Sequence, residues 1–177
     1  GWVDPLGLND CPGAGGCKKA AIGKDDPATK TKIDEGEPLQ PKPKGEEDFL
    51  YRGDERDPSD IFENGFKSKG KSNDLLLHSI DSDFPPSNFI STSTSRDVGK
   101  TFATSFNTRM GYLYTLNKIP GRDLKKELGM MYQFDKEKEI AIQGQIKKED
   151  ILGATLIIDD GREFGYSIPN PNRKIQK

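Results

Sequence analysis

The chain has 177 residues, of which 27 are basic and 29 are acidic, giving a formal net charge of -2. This length suits one domain plus a tail. The near balance of charge argues against a general nucleic-acid-binding surface, so any nucleic-acid contact has to be local. No apolar stretch approaches the length that spans a bilayer, and the amino-terminal residues lack the pattern of an export signal. We therefore expect a soluble protein without a membrane partner.

The residues before position 47 form two segments of different composition. Residues 9–46 are rich in Gly, Lys, Asp and Pro and have almost no large apolar side chain. Such a segment cannot offset its ordering entropy by burial, which predicts a flexible linker. Cys11 and Cys17 lie in this linker, where two thiols cannot complete a zinc site and no His is near. Whether the two cysteines pair stays open.

Residues 1–8 are apolar and turn-rich but too short to fold, as if they end something larger. The run "VDPLGL" at residues 3–8 resembles the motif that closes the conserved core of Rhs/YD-repeat polymorphic toxins. In that family the cocoon-shaped shell cleaves itself at this motif, and a variable toxin domain follows. The resemblance implies a cut next to Leu8, an Rhs shell as partner before release, secretion by a delivery system, and a cognate immunity protein. A chance turn "DPLG" is the alternative.

From residue 47 to residue 168 we predict one folded domain, and residues 169–177 form a polar tail. The short apolar and aromatic run "FLYRG" predicts a buried strand. "DPSDIFENG" predicts a short helix with Asp57 as N-cap, Pro58 at the first helical position and Gly65 just past the end.

The following runs complete the predicted domain. "NFISTSTS" predicts a strand that turns polar, and Thr94 with Asp97 fits a capping box for the next helix. Val98, Phe102 and Phe106 recur every four residues, which is typical of an amphipathic helix packed on a sheet. "GYLYTLN", "KEIAIQG" and "GATLIIDD" predict three more strands. The fold class is α+β, with a mainly antiparallel sheet or sandwich.

Three polar groups lie at the ends of predicted strands. Arg52 follows the first strand, Ser91 ends another, and Glu137 with Glu139 opens a third. Residues two apart share a face of a strand, so both carboxylates are expected to point the same way. Taken singly, these groups also suit a surface ion pair of Arg52 with Asp54 or Asp57, a helix cap plus turn, and a solvated strand edge.

The order and spacing of these groups resemble the R-S-E class of mono-ADP-ribosyltransferases, and most nearly the catalytic chain of the cholera and heat-labile enterotoxins. The likeness runs from residue 50 to about residue 157. "LYRGDERDPSDIFENGF" resembles the opening strand and helix of that family, and "ISTSTS" resembles its S-T-S strand. "LLLHS" places His78 where those toxins carry a histidine. The resemblance implies an ADP-ribosyltransferase-like split β-sandwich with flanking short helices, which uses NAD as substrate and needs no metal.

The resemblance also implies a role for each group. Arg52 binds the pyrophosphate of NAD with its fork of donors, and Gly53 lets the backbone approach the nicotinamide amide. Glu139 stabilises the oxocarbenium-like ribose in the transition state and is oriented by a hydrogen bond from Ser91. Asp54 either holds the loop or contacts the adenosine ribose. The remaining predicted NAD contacts come from His78, Ser91 and Thr92.

The acceptor is inferred from the same family. There, E-x-E accompanies modification of an arginine, whereas Q-x-E accompanies asparagine, cysteine or guanine. Glu137 is therefore expected to be the base that draws a proton from a guanidinium. Tyr132 and Phe134 fall where the family keeps its acceptor-recognition loop, in which an aromatic ring packs on a protein or stacks on a base.

The expected activity is transfer of ADP-ribose to a protein arginine in the cytoplasm of a recipient cell. RNA, DNA or a non-arginine side chain is the alternative acceptor, and a catalytically silent binding module is the alternative of another class. One competing motif, "GFKSKGKS" at residues 65–72, satisfies the P-loop pattern. It follows a helix, and the run "SNDLLLHS" after it is too short for a phosphate-capping helix. We therefore predict an exposed loop there and not an NTPase.

Overall fold

The computed structural model describes residues 44–106, 109–158 and 161–174. The boundary segment 1–8, both cysteines and most of the linker lie outside these residues, so the predictions made for them stay predictions. At the end of the predicted linker, Glu46 begins a short 3-10 turn that leads into the first strand.

Within the described residues, nine strands form two antiparallel sheets. The strands are β1 (Phe49–Asp54), β2 (Phe66–Lys67), β3 (Phe89–Ser93), β4 (Gly111–Asn117), β5 (Arg122–Asp123), β6 (Glu139–Gln143), β7 (Gln145–Ile146), β8 (Ile151–Ile157) and β9 (Glu163–Pro169). The main sheet has the order β5-β6-β3-β1-β4-β8-β9, and β2 pairs with β7. The predicted α+β class with a mainly antiparallel sheet is confirmed.

Four α-helices flank these sheets in the described part of the chain. They are α1 (Pro58–Asn64), α2 (Leu75–Ile80), α3 (Arg96–Ala103) and α4 (Leu124–Leu128). Helix α1 begins and ends as the sequence predicts, because the Asp57 carboxylate accepts from the backbone N–H of Ser59 and Gly65 ends the helix at a φ of 68°. No helix among the described residues combines the length and the apolar character that crossing a membrane demands.

The start of α3 differs from the prediction. Its N-cap is Ser95, one residue later than the expected Thr94, and the Ser95 side chain makes no capping hydrogen bond. Instead, the backbone N–H of Ser95 donates to the Ser93 hydroxyl at 2.9 Å. A hydroxyl at the end of β3 therefore replaces the predicted capping box.

The predicted core-facing side of α3 is also wrong. The helix buries its small residues Gly99 and Ala103 against the sheet, while Phe102 and Phe106 are exposed. The reason is close packing: a Cβ added to Gly53 of β1 would lie 2.1 Å from the backbone nitrogen of Ala103. At that separation only small residues fit between helix and strand. Phe102 is consequently left 41% exposed.

The main core lies between the sheet, α1 and the β2–β7 pair. Its fully buried members are Leu50, Ile61, Phe62, Phe66, Ile90, Tyr114, Leu116, Ile142, Ile146, Ile151 and Ala154. Tyr114 packs edge-on against the rings of Phe62 and Phe66. This core fixes β1, β3 and β6, the strands that carry Arg52, Ser91 and Glu139.

The predicted polar tail begins too early. Strand β9 runs to Pro169, and the next residue, Asn170, is completely buried. The Asn170 amide donates to the carbonyls of Lys148 and Ile151, both at 2.8 Å. An amide that satisfies two buried carbonyls is part of the fold, so the folded domain extends beyond residue 168.

Candidate active site

A cavity of about 350 Å³ opens beside the junction of β1 and β3. In the described part of the chain, these two antiparallel strands pair at a single position, where Tyr51 lies opposite Ser93. The strands are therefore only loosely joined, as in a sheet that splits. The predicted site residues that line the cavity are Arg52, Gly53, His78, Ser91, Thr92, Phe134, Glu137 and Glu139. Residues from four distant parts of the sequence thus meet at one place.

Arg52 bridges the two strands at this opening. One terminal nitrogen of its guanidinium donates to the Ser91 carbonyl at 2.8 Å, and the other donates to Asp54 at 3.2 Å. Its Nε is buried and has no hydrogen-bond partner within the described residues. Burial lowers the pKa of Arg52, and the carboxylate of Asp54 opposes that effect. Because the ordinary pKa of arginine is so high, the side chain stays cationic at neutral pH.

Asp54 fixes two arginines. Its carboxylate accepts from Nε and from a terminal nitrogen of Arg56, both at 2.8 Å, as well as from Arg52. Burial acts to raise the pKa of Asp54, but the Arg56 hydrogen bonds and the charge of Arg52 outweigh burial and lower it. This geometry supports the first of the two predicted roles, in which Asp54 holds the loop after β1.

Glu139 is buried, with 8% of its surface exposed, and both of its carboxylate oxygens have partners. Nε2 of His78 lies 3.2 Å from Oε1, and the hydroxyl of Tyr132 donates to Oε2 at 3.1 Å. The carboxylate is therefore held in one orientation. These two contacts offset part of the cost of burying a polar group.

The predicted direct hydrogen bond from Ser91 to Glu139 is wrong. In the β3–β6 register Glu139 lies opposite Ser93, and Ser91 lies opposite Ala141. The Ser91 hydroxyl instead lies 3.1 Å from Nε2 of His78. Ser91 thus reaches the carboxylate only through the imidazole.

His78 forms the centre of this network. Its side chain is 1% exposed, and its Nδ1 is buried without a hydrogen-bond partner among the described residues. Nε2 faces both the Glu139 carboxylate and the Ser91 hydroxyl, and it is the donor to the carboxylate oxygen, which can only accept.

Glu137 does not lie in a strand, contrary to the prediction. It ends the 3-10 turn Asp135–Glu137, and Lys138 follows in the left-handed conformation with a φ of 48°. The Ser93 hydroxyl holds this turn by donating to the Glu137 carbonyl at 2.6 Å. Both carboxylates still line the same cavity, and burial, followed by the negative charge of Glu139, raises the pKa of Glu137.

The two aromatic residues predicted for acceptor recognition have different positions. Phe134 is 42% exposed and lines the cavity, as expected for a recognition residue. Tyr132 is buried in a cluster with Leu75, Phe89 and Leu124, so it cannot contact an acceptor. Its predicted role is wrong because its ring completes a small core and its hydroxyl binds Glu139.

Two predicted NAD contacts have structural roles. The Thr92 hydroxyl is buried and donates to the Ile140 carbonyl at 2.6 Å, which ties β3 to β6. Gly53 has no room for a side chain because the backbone of α3 lies against it. Phe102 lines the cavity, although its helical spacing predicts a core residue.

A second cavity of about 540 Å³ shares a wall with the first, formed by Arg52, His78, Ser91 and other residues. Basic side chains line it, including Lys67 and Lys69 from the P-loop-like run. That run forms the short strand β2 and a turn, and α2 begins only at Leu75. No group of three or more His, Cys, Asp or Glu in the described residues is arranged to hold a metal ion.

Comparison with known proteins identifies relatives with this architecture. A family described as Scabin-like matches residues 50–172. A guanine-specific ADP-ribosyl transferase of Streptomyces coelicolor is 33% identical over 107 residues, which are 59% of this chain and 49% of the relative. This chain thus spans about half the length of that curated relative.

Solved structures give the same result. A guanine-specific ADP-ribosyltransferase is 28% identical, with a TM-score of 0.64, and the match covers 73% of this chain and 79% of that one. The Scabin toxin from Streptomyces scabies in complex with NADH is also 28% identical, with a TM-score of 0.64, and the match covers 73% and 77% of the two chains.

These matches decide several predictions. An NAD-dependent ADP-ribosyltransferase is confirmed as the enzyme class of the family, while the Rhs context and the narrower R-S-E class stay predictions. The names of the relatives give guanine, not arginine, as the acceptor. Since the family match covers more than half of the sequence, the chain belongs to the Scabin-like family.

Proposed function

We propose that this chain transfers ADP-ribose from NAD to a guanine base and releases nicotinamide. The observation that carries the proposal is the buried carboxylate of Glu139, held at both oxygens, in the same cavity as the cation of Arg52. The relatives that share the fold support it, because they are named as guanine-specific ADP-ribosyltransferases.

Arg52 is suited to the pyrophosphate of NAD. It is a fixed cation that lines both cavities, and each of its terminal nitrogens carries a second N–H besides the one donated to Ser91 or Asp54. A pyrophosphate at Arg52 would lie at the junction of the cavities, leaving the nicotinamide ribose free to reach Glu139. A planar guanidinium binds such an anion through parallel hydrogen bonds, which an ammonium cannot do.

Glu139 is suited to cleavage of the glycosidic bond. As the bond between the ribose C1′ and nicotinamide breaks, positive charge develops on the ribose, as it does in glycoside hydrolysis. A carboxylate fixed beside that charge binds the transition state more strongly than the ground state. His78 and Tyr132 orient the carboxylate, and Ser91 contacts His78 from the other side.

Glu137 and Phe134 are suited to a guanine acceptor. The guanine edge presents N–H donors from its amino group and from the adjacent ring nitrogen, and one carboxylate accepts from both. The exposed ring of Phe134 gives a surface on which a base can stack. In the transfer step, the amino nitrogen forms a bond to C1′, nicotinamide leaves, and the amino group loses a proton to Glu137 or to water.

Arginine is the second candidate acceptor. It is favoured by one observation, namely that Glu137 places a second carboxylate beside Glu139, where a guanidinium cation would be attracted. The E-x-E pattern predicts this acceptor by family resemblance, and the named activity of the relatives opposes it.

Radiolabelled NAD added to a cell lysate separates the two candidates. We expect a labelled product that nuclease digestion releases and protease digestion does not, with Glu139→Gln as the inactive control. A product that is lost only on protease treatment would favour the arginine acceptor. If the wild-type chain releases no nicotinamide, the proposed activity is wrong.

We further propose that the chain acts as a toxin in the cytoplasm of a recipient cell, where NAD and nucleic acids are available. The description of Scabin as a toxin supports this setting. Expression of the wild-type chain in a bacterial cytoplasm should arrest growth, whereas the Glu139→Gln variant should not. An immunity protein that covers the cavity remains the expected partner, and equal growth with both variants would contradict the toxin proposal.

A further inference from the structure

The hydroxyl of Tyr132 is the donor to the second oxygen of the Glu139 carboxylate. The distance to Oε2 is 3.1 Å, and the first oxygen is held separately by His78. The two donors come from different segments, since His78 lies on α2 and Tyr132 lies between α4 and β6. Loss of either donor would leave one carboxylate oxygen without its partner.

The position of the Tyr132 hydroxyl is determined by the surroundings of its ring. The ring is 4% exposed and packs with Leu75, Phe89, Leu124 and Ala141. An aromatic side chain fixed in this way has few rotamers, so its hydroxyl has one direction. Burial and the charge of Glu139 raise the pKa of Tyr132, so the hydroxyl keeps the proton that it donates.

We propose that Tyr132 is a positioning residue, which holds Glu139 in the orientation required for cleavage of NAD. The proposal rests on the proposed function. Tyr132 also connects the carboxylate to the acceptor side of the cavity, because its ring packs edge-on against the ring of Phe134. The two ring centroids are 6.1 Å apart. The segment that presents an aromatic ring at the cavity thus also fixes the catalytic carboxylate.

The kinetic test uses Tyr132→Phe, which keeps the buried ring and removes only the hydroxyl. Nicotinamide release from NAD in water is measured without any acceptor. We expect kcat to fall about tenfold, the scale of one lost hydrogen bond to a charged group. The KM for NAD should stay within about twofold, because Tyr132 contacts the carboxylate and does not line the NAD cavity. A general loosening of the fold would instead raise KM and lower Tm.

Tyr166→Phe is the matched control. It makes the same chemical change at a tyrosine that is 96% exposed on β9, outside the cavity. Its kcat, KM and Tm should equal those of the wild-type chain. Wild-type kcat in Tyr132→Phe would overturn the proposal.

A second readout does not depend on activity. The chain is labelled with ¹³C at the glutamate carboxyl carbons, and the resonance of Glu139 is identified by its absence in Glu139→Gln. Without the tyrosine donor one oxygen of the carboxylate loses its hydrogen bond, so the Glu139 carboxyl resonance in Tyr132→Phe should move from its wild-type position, whereas Tyr166→Phe should leave it unchanged. An unchanged resonance in Tyr132→Phe overturns the proposal. If the wild-type chain releases no nicotinamide, the proposed function fails, and the resonance alone then decides the role of Tyr132.

Discussion

Replacement of Glu137 by Gln distinguishes a guanine acceptor from an arginine acceptor. Glu137 lines the cavity beside Glu139, and burial, followed by the charge of Glu139, raises its pKa. The substitution removes this partly buried charge but keeps the size of the side chain and an oxygen that accepts a hydrogen bond. The charge of Glu137 matters most for an arginine acceptor, whereas its accepting oxygen matters most for a guanine acceptor.

An arginine acceptor has to lose a proton before it attacks, and a guanidinium holds that proton far above neutral pH. Loss of the base should therefore lower arginine labelling by about a hundredfold or more, the scale of general base catalysis. A guanine amino group is neutral and attacks without prior loss of a proton. Its labelling should fall by about tenfold or less, the scale of one weakened hydrogen bond.

The assay compares a guanine oligonucleotide and an arginine peptide with radiolabelled NAD, for the wild-type chain and Glu137→Gln. Nicotinamide release is followed in the same samples. Glu137→Ala removes the accepting oxygen as well, so it should reduce guanine labelling more than Glu137→Gln does. A hundredfold loss of guanine labelling in Glu137→Gln would instead show that guanine also needs Glu137 as a base.

Four further outcomes are expected. Arg52→Lys should bind NAD as weakly as Arg52→Ala, measured by calorimetric titration, because an ammonium lacks the fork of donors; full rescue by Lys would mean that only the charge matters. Gly53→Ala should lower the free energy of unfolding in urea by about 3 kcal/mol, because its Cβ would overlap the backbone of α3; an unchanged value would contradict the close packing. Hydrogen bonds from Arg96 and Lys100 lower the pKa of Glu163 to about 2, so Glu163→Gln should lower stability by less than about 1 kcal/mol at pH 7, and this difference should shrink as the pH falls from the ordinary carboxyl pKa through about 2; a difference that stays constant over that range would exclude the linkage. Burial raises the pKa of Glu137 in the folded state, so its ionised carboxylate destabilises the fold at pH 7, and Glu137→Gln should raise Tm at pH 7 but not below the ordinary carboxyl pKa; the same difference in Tm between variant and wild type at both pH values would contradict that shift.

The parts of the site on regular elements were predictable from the sequence. Arg52 and Ser91 lie at strand positions that the apolar runs mark, and Glu139 begins β6 as expected. Strands β1, β3 and β6 are neighbours in one sheet and line one opening, so these residues converge even though they are distant in sequence. The start of α1 was also predictable, because an Asp N-cap followed by a proline is a signal that depends only on neighbouring residues.

The parts that depend on tertiary packing were not predictable. Tyr132 lies in an irregular segment, where no period indicates which side chains are buried. The turn at Glu137 depends on the left-handed Lys138, a conformation that no glycine or asparagine signals. The apolar spacing of Phe102 and Phe106 predicted a core face, but the close approach of α3 to β1 places small residues there instead.

The most direct test of the account uses two oligonucleotides that differ only in having guanine or hypoxanthine at one position. Hypoxanthine has the ring of guanine but lacks the amino group. With radiolabelled NAD, the account predicts that the wild-type chain labels the guanine oligonucleotide and not its hypoxanthine counterpart, and that Glu139→Gln labels neither. Equal labelling of both oligonucleotides, or undiminished labelling by Glu139→Gln, would contradict it.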